Sequence, residues 1–69
     1  MVRFDLLRGA LAEKGIKQTD ISERLGISRQ AVSYKLNGKS ALTVRDVSAI
    51  CELLDATADD RNKIFFADK

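Results

Sequence analysis

Between Gln18 and Asn37 the chain reads as two short helices separated by one glycine, Gly26, and that spacing leaves few ways to fold the rest. Ser22 is small enough for the second helix to cross the first closely, and Gly26 permits the sharp turn between them. Ile21, Leu25, Ile27 and Val32 supply the apolar contacts that hold the pair at a fixed angle. Taken as packing alone, this is an αα-corner, a unit that also occurs in proteins with no shared function.

The flanking segments extend the helical reading. Phe4, Leu6, Leu7, Ala10 and Leu11 recur at three- and four-residue spacing, predicting a first helix over residues 4 to 14, with Asp5 as its N-cap and Gly15 just past its end. Gly9 falls inside it and implies either close packing or mere tolerance. The second helix starts at Lys17 or Gln18 and runs to Leu25, burying Ile21, Ser22 and Leu25. The third starts at the N-cap Ser28, buries Ala31, Val32 and Leu36, and stops at Asn37-Gly38. After a loop at residues 39 to 42, Thr43 and Asp46 form a capping box ahead of a Val47, Ile50, Cys51, Leu54 stripe. Thr57 to Asp60 opens a fifth helix, with Ile64, Phe65 and Phe66 available to close the core. The expected fold is all-α, five helices in one domain over residues 1–69.

Size and residue content remove several functions. With 69 residues, folding buries only about 60% of the surface the unfolded chain exposes, so the core must be economical. No histidine occurs, and Cys51 is the one cysteine, which leaves no intrachain disulfide, no plausible zinc ligands and no activated nucleophile. Cys51 reads as a small buried hydrophobe. No cofactor and no catalytic residue is expected. No membrane-spanning run and no signal-peptide pattern occurs, so a cytoplasmic protein is expected.

The net charge of +2 hides an uneven distribution. Residues 14 to 45 carry seven basic side chains, from Lys14 to Arg45, against only Asp20 and Glu23, while the remainder holds five basic and eight acidic ones. Positive charge gathered around the paired helices is the footprint of a surface that meets phosphates, because neutralising them releases condensed counterions. The outward side of the third helix supplies Ser28, Arg29, Gln30, Ser33 and Tyr34, and Arg and Gln are the side chains that match guanine and adenine edges in the major groove. Gln18, Ser28, Lys39 and Ser40 sit where backbone amides and side chains can hold phosphate oxygens. Tyr34 either touches DNA or rests on the core edge with its hydroxyl in water.

With its spacing and outward face together, Gln18 to Lys39 resembles the helix-turn-helix of the Cro and phage-repressor family, most closely in Ser28-Arg-Gln-Ala-Val-Ser33 and Asn37-Gly38-Lys39. Phe4-Asp5, Ile50-Cys-Glu-Leu-Leu54 and Phe65-Phe66 extend the likeness over nearly the whole chain. The resemblance implies a five-helix, lambda-repressor-like DNA-binding domain that acts as a homodimer on palindromic operator DNA, in a small phage or prophage repressor. It implies that Gln18 contacts the phosphate backbone and that Arg29, Gln30 and Ser33 face base edges, with Tyr34 reaching a base or a phosphate. Asn37, Lys39 and Ser40 would lie along the other strand. Lys17 stands where the family has a Ser or Thr cap, Lys35 where it often has a large apolar residue, and Ser22 where alanine is usual. A second class of function is an antirepressor, a protein-interaction module whose acidic second half meets a basic repressor protein. A dimer contact would come from helix 5 and the tail, where Phe65 and Phe66 are either interface or simply buried.

Overall fold

The computed structural model describes residues 1–66, and among these it contains five helices and no strand: α1 (Phe4–Glu13), α2 (Gln18–Leu25), α3 (Arg29–Leu36), α4 (Val44–Leu54) and α5 (Ala58–Phe65). The last three residues of the expected domain, which carry part of the tail, lie outside the described residues. Each helix contributes to one apolar cluster: Leu7 and Leu11 from α1, Ile21 from α2, Val32 and Leu36 from α3, Ile50, Cys51 and Leu54 from α4, Ile64 and Phe65 from α5. No helix among the described residues is long and apolar enough to cross a membrane.

Local chemistry sets most of the helix ends. Ser28 Oγ accepts from Ala31 N at 3.1 Å at the start of α3. At α4, Thr43 Oγ1 accepts from Asp46 N and Asp46 Oδ2 accepts from Thr43 N, at 3.1 and 3.0 Å, which closes the expected capping box. Thr57 and Asp60 repeat the pattern at α5. Lys17 precedes α2 and has no acceptor, so only the reciprocal half of a box forms there, with Asp20 Oδ2 accepting from Lys17 N at 2.8 Å. The departure at Lys17 is thus absorbed by an acidic residue one turn on. Ser22 Oγ donates to Thr19 O at 2.9 Å, which satisfies the hydroxyl that replaces a methyl group.

Several expectations need correction. Asp5 does not cap α1; the helix begins at residue 4 as expected, but Arg3 holds the N-cap position, and the Asp5 carboxylate, inside the first turn, accepts from Arg3 Nε and Nη2. Leu6 is exposed, because the buried stripe of α1 runs through Leu7 and Leu11 and Leu6 falls beside it. A Cβ on Gly9 would meet nothing within 4 Å, so tolerance and not close packing explains that glycine. Ser22, Leu25 and Ala31 are only half-buried. Phe65 is buried at 3% exposure while Phe66, past the end of α5, is 57% exposed, so the two phenylalanines part company.

Candidate nucleic-acid interface

The turn between α2 and α3 is built by Gly26 at φ +71°, in the left-handed region, with its N–H donating to Ser22 O at 2.8 Å. Ile27 then drops into the core edge, and Ser28 caps α3. This turn brings the N-terminal ends of α2 and α3 to one surface. There Lys17, Gln18, Thr19, Arg29, Gln30 and Ser33 line an open cleft of about 460 Å³. Two cations and no carboxylate line it, and Arg29, Gln30 and Gln18 are all exposed. Four of the residues singled out in the sequence therefore meet in one place: Gln18, Arg29, Gln30 and Ser33.

The C-terminal end of α3 organises the remainder. Gly38 stands at φ +77°, and a Cβ there would lie 3.1 Å from the Phe4 ring, so the chain reverses over a side chain of α1. Lys39 N then donates to Tyr34 O at 2.8 Å, and the Lys39 ammonium lies 5.7 Å from the centre of the Tyr34 ring. Lys39 and Ser40 are exposed beside it. Tyr34 is not on the core edge; it is 44% exposed, and its hydroxyl accepts from Gln30 Nε2 at 3.0 Å. Asn37 is exposed, with its side chain bonded back to the protein: its Nδ2 donates to Ser33 O at 2.8 Å, and its Oδ1 accepts from Arg8 at 3.5 Å. Ser28 keeps its O–H free to donate while its oxygen serves the cap.

Two contacts that bear on this surface escape a reading of the chain alone, those of Arg8 and of Lys35. Arg8 Nη1 on α1 donates to Leu36 O at 2.8 Å and so covers a carbonyl that the end of α3 leaves open. Lys35 is not packed as an apolar residue would be. Its ammonium reaches Asp46 Oδ2 at 2.7 Å and Ala41 O at 3.0 Å, tying α3 to the start of α4. Burial would push the Asp46 carboxyl up, but hydrogen bonds from Lys35 and from Thr43 N, with the attraction of the ammonium, outweigh it and hold the group below the ordinary carboxylate value. Arg24 of α2 and Glu52 of α4 form a further, exposed ion pair.

A family model described as helix-turn-helix matches residues 7–60, from the first turns of α1 to the start of α5. No curated protein and no solved structure matches the chain.

Proposed function

The chain belongs to the helix-turn-helix family of the Cro and repressor type, and from that premise we propose that it is a sequence-specific double-stranded DNA-binding transcriptional regulator, a Cro-like repressor that reads the major groove with α3. The observation that carries this is the cationic cleft in which Gln18, Arg29, Gln30 and Ser33 converge on an exposed face. Arg29 and Gln30 project from the first turn of α3, the part of a recognition helix that meets base edges, and Ser33 lies one turn further along the same helix. Gln18, at the start of α2, and Ser28, Lys39 and Ser40 around α3 take phosphate oxygens. Asn37 serves the same surface indirectly, since its amide is committed to Ser33 O and its Oδ1 to Arg8.

One module makes few contacts, and two half-sites read from the same face of B-DNA lie about 34 Å apart. Each copy carries a single α3, so two half-sites require two copies, and the regulator acts on its operator as a homodimer.

The test is a titration of the full chain with random duplex DNA between low and moderate salt. The expected result is binding whose log affinity falls linearly with log salt, with a slope of about 0.9 per phosphate neutralised. No binding at low salt, or an affinity indifferent to salt, would sink the DNA reading and leave the protein-interaction module in its place.

A further inference from the structure

Tyr34 is held at three points. Its carbonyl accepts from Lys39 N at 2.8 Å, its ring lies under the Lys39 ammonium at 5.7 Å, and its hydroxyl accepts from Gln30 Nε2 at 3.0 Å. Gln30 precedes it by one helical turn on the same face, and its side chain makes no other hydrogen bond among the described residues. We propose that Tyr34 is a positioning residue for base readout: its hydroxyl fixes the Gln30 carboxamide so that Oε1 and the second N–H face outward together and select adenine.

The inference rests on the DNA-reading function of α3 and adds to it which base Gln30 takes and why. Adenine offers the major groove a donor, its N6 amine, beside an acceptor, N7, and glutamine matches that pair only when it presents an acceptor and a donor side by side. An unrestrained carboxamide turns about its last torsion and presents either end. With one N–H on the Tyr34 oxygen, Gln30 retains Oε1 and one N–H, which is the complement adenine requires. The reversed amide, accepting from the phenol through Oε1, would offer two N–H groups and suit the paired acceptors of guanine. The phenol can donate as well as accept, so its bond restrains the carboxamide, and the orientation it holds here, with Nε2 toward the hydroxyl, is the one that complements adenine. It also orders the side chain before DNA arrives, which lowers the entropy lost on binding. Tyr34 acts in this scheme through Gln30 and needs no base contact of its own.

The experiment compares wild type, Tyr34→Phe and Gln30→Ala, each as the full chain, by selection from a random duplex library. Gln30→Ala identifies the base pair that Gln30 reads, as the position whose preference disappears. The expected wild-type preference there is adenine, and Tyr34→Phe reduces it about 3- to 10-fold, the effect of losing one hydrogen bond. In the free protein, the side-chain amide NMR signal of Gln30 moves in Tyr34→Phe while that of Gln18 does not. An unchanged preference at the Gln30 position, a preference for another base, or an equal loss on every sequence overturns the inference and leaves the DNA reading intact. A wild type without salt-dependent binding overturns both.

Discussion

Lys35 stands on α3 where an apolar side chain would pack in many related helices, and its long stem lets the ammonium reach Asp46 at the head of α4. Asp46 is itself 7% exposed and also accepts from Thr43 N, so one carboxylate closes a helix cap and anchors a neighbouring helix. Asp46→Asn removes the charge that both bonds use and leaves the ammonium half-buried without its partner. It is expected to cost about 1 to 3 kcal/mol in urea unfolding at pH 7. Lys35→Met should cost less than that, and the double variant less than the sum of the two, since replacing both members removes the unpaired charge. The pH sign follows from the depressed value of Asp46 in the fold. Its contribution is complete above the unfolded carboxylate value of about 3.9 and is lost as pH falls through that value toward the folded one. Wild type and Asp46→Asn should therefore converge in stability below about pH 4; a constant gap down to pH 3 would remove Asp46 from the acid-labile groups. Two of the helix-ending glycines, Gly26 and Gly38, provide a second residue-scale comparison. Gly26→Ala meets no neighbour within 4 Å and bears only the left-handed backbone cost of about 1 to 2 kcal/mol. Gly38→Ala bears the same cost and also presses on Phe4. It should be the more destabilising of the two in thermal melts, and equal losses would mean that the Phe4 ring yields freely.

At the scale of elements, what could be read from the chain divides by the distance over which each interaction acts. The starts of α3, α4 and α5 were legible because Ser28, Thr43 and Thr57 reach donors three residues on, well within a sequence window. The start of α1 at residue 4 was legible, but its cap was misread, because Asp5 lies inside the helix and its carboxylate is taken by a charge-assisted bond from Arg3, two residues away. The end of α3 depends on Arg8, a residue 28 positions earlier, and no local pattern announces it. The candidate site follows the same rule: the gathering of Gln18, Arg29, Gln30 and Ser33 follows from the turn at Gly26, whereas the Lys35 anchor needs α4 in place. Arg8→Met keeps much of the stem while removing the donor to Leu36 O. It is expected to cost about 1 to 2 kcal/mol, the range for a charge-assisted bond in a partly buried setting. Because the loss falls on the end of α3, amide hydrogen exchange should accelerate first at Asn37 to Ser40, ahead of the α4 core. Uniform acceleration across all helices would assign Arg8 to global stability and not to this turn.

For the whole molecule, the proposed homodimer requires a joining surface apart from the cationic cleft on α2 and α3. Val44, 84% exposed, and Phe66, 57% exposed, both line a groove of about 240 Å³ with the apolar Val2, Leu42, Val47 and Phe65 and the polar Thr43, Ser48 and Arg61. Large apolar side chains this exposed are unfavourable in water unless something covers them, and here they share one groove. None of these residues lines the cleft of Lys17, Gln18, Arg29 and Gln30, so a second copy seated on the groove leaves that reading surface free. A two-fold contact would bury the same patch on both copies, with Phe66 of each able to enter the groove of the other. Val44→Glu and Phe66→Glu place charges at these exposed positions, where the fold itself loses little, so the thermal melt of an isolated copy should hardly change. Sedimentation equilibrium should show the wild type associating with rising concentration and both variants remaining monomeric. On duplex DNA the variants should keep the salt slope of a single module and lose the steeper one of two. If both variants associate as wild type does, the groove is not the joint, and the spacing of two recognition helices must be set by another face.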